Sequence, residues 1–201
     1  VSFTQTHVMG GFNGAISQPS RAMLLTGRGL MDVHRNGGLI PETEKTFPEL
    51  FRENGYTTFA TGKWHSDNAS FNRSFSTGAN IFFGGMHPYG RNNELGHRRP
   101  YLHQYDPAGR YDNTNGVWVD ASLDTFSSEL YADAAIGFLE TASSDDAPFL
   151  MYVAFTSPHD PRNVLPGYGR KYDGADLPLP ANFVTQPPFD NGDLNERDEK
   201  L

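Results

Sequence analysis

An α/β layered domain with a buried, mostly parallel central sheet is the fold class that this sequence predicts, on three observations. Runs rich in β-branched and aromatic residues alternate with runs of helical period. The later strands, Tyr56 to Thr61 and Phe149 to Phe155, are aromatic, β-branched or wholly apolar, as suits strands covered on both faces. The 201 residues are 37% hydrophobic and 13% aromatic, enough to bury one good core.

The elements follow in order. A short strand near Ser2 to Val8 leads through the turn at Gly10-Gly11 into a helix that begins at Ser17. Pro19 has its φ fixed for a first helical turn, Ala22 to Leu25 are good helix formers, and Gly27 stops them. Thr46 with Glu49 reads as a capping box opening a short helix that carries Phe47, Leu50 and Phe51 and ends at Asn54-Gly55. The strand Tyr56 to Thr61 comes next. From Ser66 to about Leu123 the pattern dissolves, with only Asn80 to Phe83 and Val117 to Val119 suggesting short strands; long irregular segments of this kind are usually functional or mobile. Phe126, Leu130, Ala134 and Phe138 recur at helical spacing, and Tyr131, Ala135 and Leu139 widen the stripe into a core-facing helix. A turn at Ser143 to Pro148 precedes the strand Phe149 to Phe155. The tail from Pro161 is rich in Pro, Gly and Asp and reads as a surface excursion, and no internal repeat is evident. Ligand sites in open α/β sheets lie beyond the carboxyl ends of the strands. Lys63, His65 and His159 all follow strand ends, so they can converge on one edge.

Composition excludes several classes. A net charge of −8 argues against nucleic acid or an anionic membrane as the main partner, while leaving room for a local basic pocket. No apolar run approaches the ~20 residues that span a bilayer. With no cysteine there is no disulfide, thiolate metal site or cysteine nucleophile, although that absence does not fix the compartment.

The chemistry concentrates in Ser17-Gln18-Pro19-Ser20-Arg21-Ala22-Met23-Leu24-Leu25-Thr26-Gly27-Arg28. Ser17 falls at a helix N-terminus, where unpaired N–H groups and the helix dipole favour an anion. Arg21, four residues on, shares its face and can reach back toward Ser17 or a bound oxyanion. Alone, a serine cap and a surface arginine account for the run. Two further runs change the weighing: Gly55-Tyr56-Thr57-Thr58-Phe59-Ala60-Thr61-Gly62-Lys63-Trp64-His65, a strand ending in Gly-Lys-x-His, and Phe149 to Phe155 followed by Thr156-Ser157-Pro158-His159.

In this order and spacing the three runs resemble the sulfatase family, whose nucleophile lies in a (Cys or Ser)-x-Pro-(Ser or Ala)-Arg-x-x-x-Leu-Thr-Gly-Arg motif. The resemblance implies an alkaline-phosphatase-like layered α/β sandwich and a sulfuric ester hydrolase acting on a sulfated sugar or another small sulfate ester. It implies that residues 1–201 are part of one catalytic domain whose N-terminal strand and C-terminal half lie outside the chain, so that the piece alone is inactive. Ser17 would be oxidised to formylglycine by a radical-type maturase. The hydrate of that group offers one hydroxyl to attack sulfur and a second whose deprotonation expels sulfate. By the same carry-over Arg21 would orient the hydrate and Lys63 would bridge it to the sulfate. His65 would hydrogen-bond the hydrate and assist sulfate release, while His159 would contact the sulfate or protonate the leaving oxygen.

The family also binds a divalent cation, commonly calcium, through hard oxygen ligands; here residue 17 is its one candidate ligand, with the paired aspartates and the Asp-Asn pair expected outside the chain. Asp145-Asp146 reads as a solvated turn. Asp190-Asn191-Gly192 copies a family string, yet it follows Gln186-Pro187-Pro188-Phe189, which cannot be a central strand, and reads as a turn. The stretch containing His97, Arg98 and Arg99, with His87, Arg91 and Arg162, offers arginine pairs suited to carboxylates or further sulfates on an acidic sugar; an ordinary exposed loop accounts for it slightly better. The family points to a periplasmic or secreted location. Two other functions stay open: a phosphate or phosphonate ester hydrolase that uses Ser17 unmodified, and a non-catalytic binding module for sulfated ligands.

Overall fold

Residues 2–6, 17–34, 39–85, 101–111, 116–118, 126–142, 147–159, 177–184 and 188 are described by the structure, a computed structural model. The elements are α1 (Ser17–Thr26), α2 (Leu30–His34), α3 (Phe47–Glu53), β1 (Thr57–Lys63), α4 (Asn68–Ser74), β2 (Thr77–Phe82), β3 (Tyr101–His103), β4 (Gly116–Trp118), α5 (Ser127–Ala142) and β5 (Phe149–Ala154). The strands form one sheet in the order β4-β3-β2-β1-β5. β1 runs parallel to both β2 and β5, while β3 is antiparallel to β2 and β4 to β3, so four of the five strands point the same way.

Alternation along β1 divides its side chains between two layers. Phe59 stacks on Phe138 of α5 with ring centroids 4.4 Å apart. Its neighbour Ala60 faces the other way, into a core formed by Ala22 and Leu25 of α1, Trp64, Phe71, Phe75 and Ile81. Helices therefore cover both faces of the sheet, which is what the aromatic and apolar strands require. Trp64 is the hub of the second layer, 1% exposed and edge-on to Phe71, Phe75 and Tyr152. Each large side chain buried in this way contributes about 1.5–3 kcal/mol through removal of apolar surface from water.

Several elements form where the sequence predicts them. α1 ends at Thr26, with Gly27 at φ 70° and its N–H donating to the Met23 carbonyl at 2.8 Å. The capping box of α3 is complete: Thr46 accepts from the Glu49 N–H at 3.2 Å, and the Glu49 carboxylate accepts from the Thr46 N–H. Leu177 to Val184 are exposed.

Elsewhere the structure corrects the sequence reading. Residues 2–6 form bends and open chain rather than a strand. The region from Ser66, read as irregular apart from two short strands, contains α4, a β2 that starts at Thr77, and β3. β1 continues past Thr61 to Lys63, which makes that residue the last of the strand rather than one that follows it, and β5 stops at Ala154. Asp145-Asp146 and Asp190-Asn191-Gly192 lie outside the described residues. Among the described residues, no helix is long and apolar enough to cross a membrane.

Candidate active site

The end of β1 is shaped to turn two polar side chains toward one place. Opposite it, β2 carries an extra residue: Thr61 pairs with Ala79 but Gly62 with Ile81, and the bulged Asn80 adopts φ 51°. Gly62 itself has φ 88°, and a Cβ there would stand 2.1 Å from the Ala154 carbonyl oxygen of β5, so only glycine fits. Trp64 prolongs the sheet by donating its N–H to the Phe82 carbonyl at 2.7 Å and sinks its indole into the core. With Trp64 anchored, Lys63 and His65 flank it at the carboxyl edge of the sheet. His65 sits at φ 59°, a left-handed conformation that a non-glycine residue holds only when its surroundings impose it.

Over this edge lies the N-terminus of α1, docked through Ala22 and Leu25. Ser17 Oγ is 3.1 Å from His65 Nδ1 and 3.4 Å from Arg21 Nε, so Arg21 does reach back along its own helix. The other side of the Arg21 guanidinium is held at Nη1, which donates to the Lys63 main-chain carbonyl at 2.8 Å and to Tyr152 Oη at 3.1 Å. The His65 ring is confined from beyond: a Cβ on Gly85 would come within 2.5 Å of Nε2. His159 lies on a turn just past β5, its N–H donating to the Thr156 carbonyl at 3.0 Å; the Thr156 hydroxyl is 3.3 Å from Ser127 Oγ at the start of α5.

The charges that these groups can carry are all positive. Lys63 is only 2% exposed, and burial, then the Arg21 charge, lowers its pKa to about 8. Burial lowers that of His65 to about 4, with Lys63, Arg21 and His159 each adding to the shift. No carboxylate offsets either shift. The acids that form ion pairs among the described residues do so elsewhere, Glu44 with Arg28, Glu49 with Arg73, Glu53 with Lys45 and Asp106 with Arg110. A chain of net charge −8 thus holds a local cup of cationic groups around a serine hydroxyl at a helix N-terminus, an arrangement made for an oxyanion.

A divalent cation is a different matter. Among the described residues no group of three or more His, Cys, Asp or Glu side chains could hold a metal ion, and the partners of Ser17 Oγ are a guanidinium and an imidazole. The donors present among the described residues do not by themselves compose a calcium site. They do fit an oxidised residue 17, because both flanking groups can hydrogen-bond oxygen on that carbon. Of the residues singled out from sequence, Ser17, Arg21, Lys63 and His65 come together, and His159 lies close enough for its charge to act on His65. His87, Arg91, His97, Arg98, Arg99 and Arg162 lie outside the described residues. Sequence reasoning missed Tyr152, whose phenol stands out from the apolar run Phe149–Ala154 only as its one polar tip.

Fold and charge together define a cationic cup suited to an oxyanion, at the strand carboxyl ends of an α/β sandwich. Residues 1–198 match the sulfatase family, and the chain belongs to it; its fold is the alkaline-phosphatase-like α/β fold of sulfatase structures. Arylsulfatase G of Mus musculus is 31% identical over 77% of the chain and 35% of its own length. N-acetylgalactosamine-6-sulfatase of Mus musculus is 29% identical over 73% of the chain and 31% of its length. The crystal structure of Ps i-CgsB in complex with k-i-k-neocarrahexaose superimposes with a TM-score of 0.52 at 25% identity, covering 72% of this chain and 35% of that one. The chain therefore spans about a third of the length of the curated relatives it matches.

Proposed function

We propose that the protein is a sulfuric ester hydrolase that cleaves a sulfate monoester of a sugar or oligosaccharide, and that residues 1–201 belong to its single catalytic domain. The observation that carries this reading is the clasp on Ser17 Oγ, 3.1 Å from His65 Nδ1 and 3.4 Å from Arg21 Nε, with buried Lys63 beside it and no acid in the cup among the described residues. Family membership supports the reaction class. N-acetylgalactosamine-6-sulfatase, by its name, and the neocarrahexaose complex support a sugar substrate.

Arg21 and Lys63 bind the sulfate group and neutralise the charge that grows on its oxygens as the ester bond breaks. His65, kept neutral near pH 7 by its surroundings, takes a proton from oxygen on residue 17. His159 gives a proton to the departing alcohol. Ser17 converted to formylglycine, a two-electron oxidation carried out by a separate radical-type maturase, adds water to give a geminal pair of hydroxyls and so a route to release sulfate without leaving a trapped ester. His97, Arg98, Arg99 and Arg162 would meet the remainder of the sugar. An exported location, periplasmic or extracellular, goes with the same reading.

The test is mass spectrometry of the tryptic peptide ending at Arg21, from the full-length protein isolated from its native host. Loss of two hydrogens at Ser17 is the expected result. An intact serine in protein that turns over no sulfate ester would overturn the reading in favour of a phosphate or phosphonate esterase, or of a module that binds sulfated ligands.

A further inference from the structure

We infer that Tyr152 is a positioning residue for Arg21: its hydroxyl fixes the plane of the guanidinium that faces the sulfate. This rests on the sulfatase reading for its consequence but not for its geometry. A guanidinium has five N–H donors in a rigid plane. Nη1 spends both of its protons on fixed acceptors, the Lys63 carbonyl at 2.8 Å and Tyr152 Oη at 3.1 Å, while Nε points at Ser17 Oγ at 3.4 Å. The two protons of Nη2 have no acceptor among the described residues, and together with Nε they form the edge that a tetrahedral oxyanion can meet.

The acceptors are themselves immobile. The Lys63 carbonyl belongs to β1, one residue past the glycine that β5 presses against. The Tyr152 ring is edge-on to Trp64, with centroids 6.3 Å apart, and stacked on Phe75 at 6.0 Å; both of those side chains are fully buried. Tyr152 also lies on β5, in register with Ala60 of β1, so its hydroxyl reports the docking of the two strands directly to Arg21. Without that oxygen one Nη1 proton loses its acceptor, and the guanidinium can swing about the remaining carbonyl bond. The charge stays in the cup, but the edge offered to the sulfate is no longer fixed, and a bidentate contact depends on that plane more than on the charge alone.

Tyr152→Phe keeps the packed ring and removes only the hydroxyl. In the full-length protein acting on a small aryl sulfate, kcat is expected to fall about tenfold with KM within about twofold, the loss of a contact tightened in the transition state. Introduced into an Arg21→Lys background, the same change is expected to add no further loss. Wild-type kcat in Y152F, or losses that multiply in the double variant, would overturn the assignment. A second measurement is independent of turnover: the 15N–1H spectrum of the Arg21 side chain is expected to show slow rotation with separate Nη1 protons in the parent and their coalescence in Y152F. Coalescence in both proteins would overturn the positioning role. Should the parent hydrolyse no sulfate ester while its Arg21 protons remain separate and coalesce in Y152F, the sulfatase reading fails and the positioning role stands.

Discussion

Lys63 is the residue at which stability and function pull in opposite directions. Its pKa of about 8 lies below the ordinary 10.5 because burial, and then Arg21, disfavour the charged form. Between those values the unfolded chain binds a proton that the folded chain does not, so stability falls as the pH drops from 10.5 to 8 and stays reduced below. Lys63→Met should therefore raise stability near pH 7 by about 2 kcal/mol, a gain that fades toward pH 10.5. The same variant should bind inorganic sulfate far more weakly. In the parent, sulfate affinity should hold up to about pH 7 and drop toward tenfold per pH unit above pH 8, because only the protonated amine pairs with the anion. Urea titrations and isothermal calorimetry across pH 6.5 to 9.5 check both halves, and a flat affinity profile would count against Lys63 as an anion ligand. Gly85→Ala isolates His65 in a similar way. The added methyl would lie 2.5 Å from Nε2, so the ring must move off Ser17 Oγ; turnover should fall about 10- to 100-fold with the unfolding midpoint little changed. Ser17, Lys63 and His65 were legible in the sequence because each stands at or just past the end of an element, where chain direction decides what a side chain can face, and Arg21 because it follows Ser17 by four residues on one helix face. Tyr152 was not, since in a one-dimensional reading a tyrosine inside Phe149–Ala154 is one more large side chain on a core strand. Only the register of β5 against β1 gives its hydroxyl a partner.

At the scale of elements, local signals that satisfy their own hydrogen bonds were readable, and those that depend on a distant partner were not. The α3 cap is the clearest of the first kind. Thr46 is fully buried, accepts from the Glu49 N–H, and shares a 2.7 Å hydrogen bond with Ser74 Oγ of α4. Thr46→Ala should cost about 1–2 kcal/mol, since the helix loses its cap while Ser74 keeps its bond to the Ser70 carbonyl. Chemical denaturation measures this directly, and sulfate affinity should be unchanged because α3 contributes nothing to the cup. α4 shows the second kind. Its sequence Asn68–Ser74 is mostly Asn and Ser, whose helix propensity is indifferent; Asp67 caps it by accepting from the Ser70 N–H at 2.7 Å, but it is the packing of Phe71 and the following Phe75 on Trp64 that holds so short a helix. β3 is only Tyr101–His103 and exists through its pairing with β2 and β4, a contact no window of sequence displays. The expected strand near Ser2 failed for the matching reason: β-branched and aromatic composition makes no strand unless another strand pairs with it.

For the molecule as a whole, the cup gathers chain segments that are far apart in sequence: α1 supplies Ser17 and Arg21, the end of β1 Lys63 and His65, β5 Tyr152, and the turn beyond it His159. Bringing the Arg21 and Lys63 charges together without an acid among the described residues opposes folding, and an anion bound between them reverses that opposition. The protein should thus be stabilised by its ligand more than by ionic strength. Inorganic sulfate at about 100 times its dissociation constant should add about 2.7 kcal/mol, with a matching rise in the thermal midpoint. Chloride at the same ionic strength should give much less, because it is monovalent and cannot meet the Nη2 edge of Arg21 and Lys63 at once. Arg21→Gln should remove most of the sulfate-specific shift. Scanning calorimetry in matched sulfate and chloride buffers separates the alternatives: equal shifts in the two salts, or an undiminished sulfate shift in Arg21→Gln, would mean that screening rather than a built anion site holds these segments together.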